Sequence, residues 1–469
     1  MDHTARQRYS PATFRALSFH DVTPRFREGE DTPRAYLERC LAVIEAREPE
    51  VKAWVTLNID GARRAADQAT ARWRAGRPLS PVDGMPIGIK DLFETKDMPT
   101  EMGSPMFKGN NPGRDTAHVR ALREAGAVVL GKTVTTELGM SHPGPTTNPF
   151  DPTRTPGGSS SGSAAAIGAG MVPAAIGSQV VGSVIRPASF CANWAIKPTI
   201  GALNRGERQG LSHSHLGVHA GSPEDLWQVA IEIALRAGGD PGAPGLYGAV
   251  VPPDPVKPAR LILLEGEGWA KVEPLARAAF ERVLTAVLGV GVAILRRTDN
   301  PLIEAFEASI ADAMALTRDI CAYEMRWTLE NLVEKNPAGI SESLRARMML
   351  GRTITLDGYR DLLRRRAEAR ARLVALAPVA DGFIAPAALG VAPTLGDPGG
   401  SQGEILHTTG DPTYNAASSI LGAPAVTVPV MAVGGLPVGV QVMGQPHADE
   451  RVVAIARWLA EVVPAVEID

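Results

Sequence analysis

Stretches with apolar residues at helical spacing alternate along this chain with short uncharged runs of Val, Ile, Leu and Ala. Positions 32–47 and 59–74, rich in Ala, Leu, Glu and Arg, predict two amphipathic helices. The apolar run 86–89, bounded by Gly84 and Asp91, predicts the end of a buried strand. Positions 118–125 predict a helix, and after Gly126 the Val/Leu run 127–131 predicts a strand. Helix, glycine and strand in succession is the pattern of an α/β unit with a largely buried sheet. Ser163 opens an Ala-Ala-Ala-Ile run as an N-cap, so the serine-rich loop before it feeds a helix over 163–170.

The middle of the chain reads differently. Surface helices are expected over 224–236 and 274–287, separated by a Pro-, Lys- and Arg-bearing stretch at 254–262. Positions 301–372 are almost wholly helical in pattern and heavily charged from 360 onward. From Val379 the apolar, Gly- and Pro-punctuated character returns, with strands expected over 425–430 and 438–443. The expected organisation is a single α/β unit over 1–469, interrupted by a helical section at roughly 250–375. No repeat and no low-complexity tail is evident.

Positions 155–185 contain no charged residue and are long enough to span a bilayer. The stretch is nevertheless full of Gly and Ser, is broken by Pro156 and Pro173, and holds Gln179. A spanning helix favours Leu, Ile and Val throughout, so this is buried backbone packed closely around something. At 44% hydrophobic, 21% charged and net charge −3, the composition is that of a globular protein with no basic run to recruit nucleic acid. Three scattered cysteines, Cys40, Cys191 and Cys321, form neither a disulfide framework nor a zinc knuckle. Cys191 sits in an apolar setting and reads as a buried structural thiol. The polar start, 1–15, lacks the apolar core of a signal peptide, so a cytoplasmic location is expected.

Candidate chemistry lies in two glycine-rich segments. One reads Asp-Gly-Met-Pro-Ile-Gly-Ile-Lys-Asp over 83–91; the other opens Gly-Gly-Ser-Ser-Ser-Gly-Ser at 157 and continues to Gly-Ser-Val-Ile-Arg-Pro at 182–187. Lys90 taken alone reads as a surface ion-pair partner of Asp91. Its place at the end of an apolar run instead suggests burial, which lowers an amine from about 10.4 and makes it a base. Such a lysine with Ser159 and Ser183 can build a hydrolase without histidine, one serine relaying a proton and the other attacking a carbonyl. The serine loop is followed by an Ala/Ile/Val run, unlike a linker, and lacks the Lys-Ser/Thr ending of a phosphate loop. His213, His215 and His219 have the spacing of metal ligands. Only Glu224 and Asp225 stand near to complete a site, so they read as polar loop residues and no metal is expected. Met314, Met325, Met348 and Met349 read either as an adaptable apolar pocket or as core filling.

These residues resemble the amidase signature family of serine hydrolases. The resemblance covers nearly the whole chain, is densest over 83–201, and returns at Thr413-Tyr414-Asn415 and in Gly-Leu-Pro-Val-Gly-Val-Gln over 435–441. It implies a mixed, twisted β-sheet core covered by helices on both faces. It also implies Ser183 as nucleophile, Ser159 in a cis peptide as bridging serine, Lys90 as base and Ser160 as support for the lysine. Backbone N–H groups of Val180, Val181, Gly182 and Ser183 would hold an oxyanion. Met140, Ser160, Gln179 and Arg186 are the expected substrate-facing set. The chain departs from the common family pattern at Ser161 and Gln179, where Gly and Asp are usual, and at Val181, where the pattern is Gly-Gly-Ser. Arg186 stands three residues after the nucleophile rather than two. With Gln179 this looks like the malonamidase-type subgroup, where an arginine there binds a substrate carboxylate; a structural ion pair is the other role open to it. The resemblance implies cleavage of a small-molecule C(=O)–N bond (amide, aryl amide, carbamate or urea), with no cofactor, no nucleic acid, no membrane, and a homodimer left open. The rival roles are a glutaminase subunit of a tRNA-dependent amidotransferase and a non-catalytic binding protein of the same fold.

Overall fold

A computed structural model describes residues 8–140, 142–206, 210–396 and 408–469, so the first seven residues of the polar start lie outside it. Among the described residues twelve strands form one mixed sheet. In chain order they are β1 (Trp54–Leu57), β2 (Pro86–Lys90), β3 (Val128–Thr133), β4 (Ala174–Gln179), β5 (Trp194–Lys197) and β6 (His215–Ala220). They continue with β7 (Arg260–Leu263), β8 (Ala293–Leu295), β9 (Gly382–Pro386), β10 (Ala425–Val433), β11 (Leu436–Met443) and β12 (Val466–Ile468). The order across the sheet is β1-β3-β2-β4-β6-β5-β10-β11-β9-β7-β8, with β12 beside β10. Strands run parallel within β3-β2-β4 and within β9-β7-β8. The antiparallel ladders of β4, β6, β5, β10, β11 and β9 join these two groups.

The two parallel neighbours β2 and β4 are buried along their whole length, which is why their sequences are uncharged up to Lys90 and Gln179. Ile89 stands opposite Ile176, so Lys90 and the Ser178–Gln179 end of β4 emerge at the same edge. Ligands of α/β sheets collect at the carboxyl ends of parallel strands for this topological reason. The helix Ser161–Gly168 leads from the serine loop back into β4, and the helix Ile185–Phe190 follows directly after Ser183. Both are fully buried, so the uncharged stretch 155–185 is core apart from the partly exposed Gly170, Val180, Val181 and Ser183. Among the described residues no helix is long and apolar enough to cross a membrane.

Two sequence expectations need correction. The helix after the serine loop begins at Ser161 rather than Ser163. Ser163 caps nothing: its hydroxyl bonds Thr133 Oγ1 at 2.7 Å and the Ile176 carbonyl at 2.9 Å, tying β3 and β4 together. The section at 250–375 is not wholly helical, since β7 and β8 within it complete one end of the sheet. Their shortness and flanking Pro, Lys and Arg hid them. The helices Pro301–Ser309, Ala313–Lys335, Glu342–Thr353 and Leu356–Ala375 fill the remainder, as the pattern predicts.

Next to Lys90, Asp91 and Lys132 form an ion pair of 2.9 Å with neither side chain exposed. Lys132 also donates to Thr100 Oγ1 and the Pro99 carbonyl, and Asp91 accepts from the Glu101 N–H. Breaking one partner of such a pair leaves a buried charge uncompensated. Asp91→Asn or Lys132→Met alone is expected to lower stability by about 3–5 kcal/mol, and Asp91→Leu with Lys132→Met to recover most of it. Denaturant unfolding of the three variants checks this; a double variant as unstable as the two single losses added together would contradict it.

Candidate active site

Lys90 closes β2 with its side chain fully buried. Its Nζ lies 2.7 Å from Ser159 Oγ, 3.0 Å from Ser160 Oγ and 3.0 Å from Ser178 Oγ, with the Ser178 carbonyl at 3.4 Å. Asp91 turns to Lys132 instead, so the surface ion pair open at the sequence level does not form. With burial unopposed, the Lys90 amine is held well below the ordinary lysine value of 10.5. A neutral amine donates two hydrogen bonds and keeps one lone pair, so three hydroxyls at this range suit it. Such a group accepts a proton from a hydroxyl beside it.

The peptide between Gly158 and Ser159 is cis. Ser159 reaches a cavity of about 340 Å³ that Val180, Val181, Gly182 and Ser183 also line. The N–H groups of Val180, Val181, Gly182 and Ser183 meet no acceptor among the described residues. Gly182 is needed for close approach: a Cβ there would lie 2.6 Å from Asn415 Oδ1 and 2.7 Å from Arg186 Nη1. Met140 lines the cavity, its carbonyl held by Thr136 Oγ1 at 2.6 Å. The opposite wall comes from the helical section, with Met314, Arg318, Cys321 and Arg347, and from Thr409–Thr413.

Three expected substrate-facing residues are placed elsewhere or otherwise engaged. Ser160 is buried between Lys90 and Ser178, accepting from the Ser178 N–H at 3.2 Å, and does not line the cavity. Gln179 is likewise buried, and both ends of its amide are used. Its Oε1 accepts from the N–H groups of Val184 and Ile185, and its Nε2 donates to Ser419 Oγ and the Val181 carbonyl. Arg186 lines the cavity but is only 4% exposed. Its Nε donates to the Thr409 carbonyl, and its Nη2 to the Gly158 carbonyl and Thr409 Oγ1. Burial lowers this guanidinium to about 10, so it stays charged at neutral pH.

Ser178 and Ser419 carried no signal recognised in the sequence. Register would have found the first, because the residue two beyond Ile176 in β4 emerges beside the end of β2. The histidine triplet does not converge. A strand spreads six residues over about 20 Å, so spacing that suits a helix does not gather ligands on β6. His213 faces Cys321 and Arg366, and His215 the Gln179 carbonyl. Burial holds His213 and His219 at about 3, hence neutral. Among the described residues no three His, Cys, Asp or Glu side chains gather as metal ligands. Cys191 is buried with its thiol pushed well up, and lies 3.4 Å from the Pro156 carbonyl. The methionines divide: Met314 lines the cavity, Met325 and Met348 pack in a separate apolar cluster, and Met349 is about half exposed.

A family model described as "Amidase" matches residues 35–453. A curated relative, a glutamyl-tRNA(Gln) amidotransferase subunit from Chloroflexus aurantiacus, is 32% identical over 89% of this chain and 91% of its own. A solved structure described as a vestigial complex bearing on the origins of an s-triazine catabolic enzyme superposes with a TM-score of 0.81. It is 28% identical and covers 96% of this chain and 100% of that one. The native peptide amidase of Stenotrophomonas maltophilia gives a TM-score of 0.76 at 25% identity, over 96% and 97% of the two chains. With the family model spanning most of its length, this chain belongs to the amidase signature family, hydrolases that act on carbon–nitrogen bonds.

Proposed function

We propose that this protein is an amidase that hydrolyses a small-molecule C(=O)–N bond through an acyl-enzyme on Ser183. The observation that carries this reading is the 2.7 Å contact between a fully buried, neutral-leaning Lys90 and Ser159 on the wall of the cavity that Ser183 lines. In it Lys90 takes the proton of Ser183 by way of Ser159, and Ser183 Oγ adds to the carbonyl carbon. The N–H groups of Val180, Val181, Gly182 and Ser183 hold the negative oxygen that forms. The relayed proton then goes to the departing nitrogen, and water cleaves the ester with Lys90 again as base. Ser160 and Ser178 hold the amine in place.

A cavity of about 340 Å³ suits a small molecule. Amide, aryl amide, carbamate (urethane) and urea carbonyls all fit this chemistry. Arg186 enters as a strut for the Gly158–Ser159 turn and Thr409, because its Nε and Nη2 are spent on those groups, while its buried Nη1 has no partner among the described residues. The malonamidase-type reading instead makes it a carboxylate reader. A second function, the glutaminase subunit of a tRNA-dependent amidotransferase, is favoured by the 32% identity to such a subunit over 89% of the chain. It would need partner subunits and a tRNA.

Release of amine or ammonia from a malonamate, an aryl amide, an aryl carbamate and glutamine tests these readings together. Turnover of at least one small amide by the lone chain is expected, with a loss of at least about 10³-fold in Ser183→Ala. Turnover that survives the substitution would overturn the nucleophile, and turnover of glutamine only with added partner subunits would favour the second function. Arg186→Lys is expected to lower kcat on all substrates alike; a rise in KM confined to the malonamate would make Arg186 a carboxylate reader. The base must be neutral to act, so kcat/KM is expected to rise with pH along a limb whose midpoint lies well below 10.5. Lys90→Met should cost about 10²–10⁴-fold. A limb set at the ordinary lysine value, or an unaffected Lys90→Met enzyme, would contradict the role.

A further inference from the structure

We infer that Ser419 and Gln179 are positioning residues that aim the Gly182 N–H into the cavity and steady the segment that carries the Ser183 N–H, and this rests on the amidase reading of the site. The Val181 carbonyl oxygen is held by two side-chain donors, Ser419 Oγ at 2.8 Å and Gln179 Nε2 at 3.2 Å. The two donors also bond each other, Gln179 Nε2 donating to Ser419 Oγ at 3.0 Å. Both donor side chains are fully buried, while Val181 itself is partly exposed in the cavity wall. Ser419 comes from the helix Thr413–Leu421 and meets β4's last residue across 240 positions of sequence.

The consequence follows from peptide geometry. The peptide joining Val181 and Gly182 is trans, since the one cis peptide among the described residues is that between Gly158 and Ser159. In a planar trans peptide the C=O and the following N–H point in opposite directions. Pinning the Val181 oxygen toward Ser419 therefore turns the Gly182 N–H the other way. The next peptide is fixed in the same manner: the Gly182 carbonyl accepts from the Arg186 N–H at 3.0 Å, at the start of the helix Ile185–Phe190. That turns the Ser183 N–H away from the helix. Neither N–H finds an acceptor among the described residues, and both residues line the cavity. Gln179 steadies the same segment from its other end, with Oε1 accepting from the Val184 and Ile185 N–H groups at 2.8 and 3.0 Å. A carboxylate at position 179 could accept these two N–H groups but could not donate to Val181. The amide is the group that does both, which gives this departure from the common family pattern a purpose.

An oxyanion donor is worth most in the transition state, so the clamp is expected to act on kcat and to leave KM alone. The test compares wild type with Ser419→Ala, Ser419→Cys, Gln179→Glu and the double variant Ser419→Ala/Gln179→Met. Each is assayed on the best small amide and for inhibition by phenylboronic acid, whose adduct with a serine mimics the oxyanion. Removing one oxyanion donor outright costs about 10²–10³-fold in kcat, which sets the ceiling for the double variant. Ser419→Ala, which leaves one of the two clamp donors, should lose about 10-fold, and Ser419→Cys less, with KM within about twofold. Boronate inhibition should weaken in step with kcat, and out of proportion to the modest fall in thermal midpoint that losing buried hydrogen bonds brings. Unchanged kcat and boronate inhibition in Ser419→Ala and Gln179→Glu would overturn the inference. So would losses that follow KM or the thermal midpoint. Should Ser419→Ala fail to fold, Ser419→Cys keeps the shape and carries the same prediction. Full activity in Ser183→Ala would instead sink the amidase reading itself, and the clamp with it. An inactive Ser183→Ala beside a fully active Ser419→Ala would sink the clamp alone.

Discussion

Everything in this site depends on a lysine taken out of water and given only neutral partners. A buried ammonium without a counter-charge is costly, and burial among three hydroxyls pushes Lys90 toward its neutral form. Had Asp91 turned toward it, the amine would have been held charged and useless as a base. The 2.9 Å pair with Lys132 removes that carboxylate to the neighbouring strand. The fold thus holds two lysines on adjacent strands, both buried and both lowered by that burial, with a carboxylate opposing the effect at Lys132 and none at Lys90. The parallel pairing of β2 with β3 and β4 is what allows this separation over so short a distance.

From that amine outward the structure is a sequence of fixed carbonyls. The carbonyls of Val181, Gly182, Gly158 and Thr409 are each held by a named donor, and each bond restrains a turn that faces the cavity. Glycine at 182 lets Asn415 and Arg186 close in from two sides. Arg186 in this scheme works as a brace whose charge stays inside the protein. Gln179, which the family resemblance set among substrate-facing residues, is likewise a brace one layer behind the cavity wall.

What the sequence made legible was local. The uncharged glycine- and serine-rich run and the lysine ending an apolar strand point to burial without long-range information, and most helices follow from periodicity alone. What escaped depends on partners far away in sequence. Ser178 joins Lys90 across 88 positions, and Ser419 joins Val181 across 238. No pattern within either segment announces such a meeting. Arg318, Cys321 and Arg347 reached the cavity wall for the same reason, since nothing in a charged helix says which turn faces a site. The histidine spacing failed in the opposite sense: a close sequence cluster is spread out by an extended strand.

The most direct test of this account is the ionisation of Lys90 itself. Lysine-selective ¹³C NMR, with the resonance assigned by its absence in Lys90→Met, would follow the carbon next to Nζ as pH is raised. The account predicts a folded-state titration well below the ordinary lysine value of 10.5, leaving the amine able to accept a proton. A Lys90 that stays charged up to that value would contradict it, and the proton relay built on it would fall.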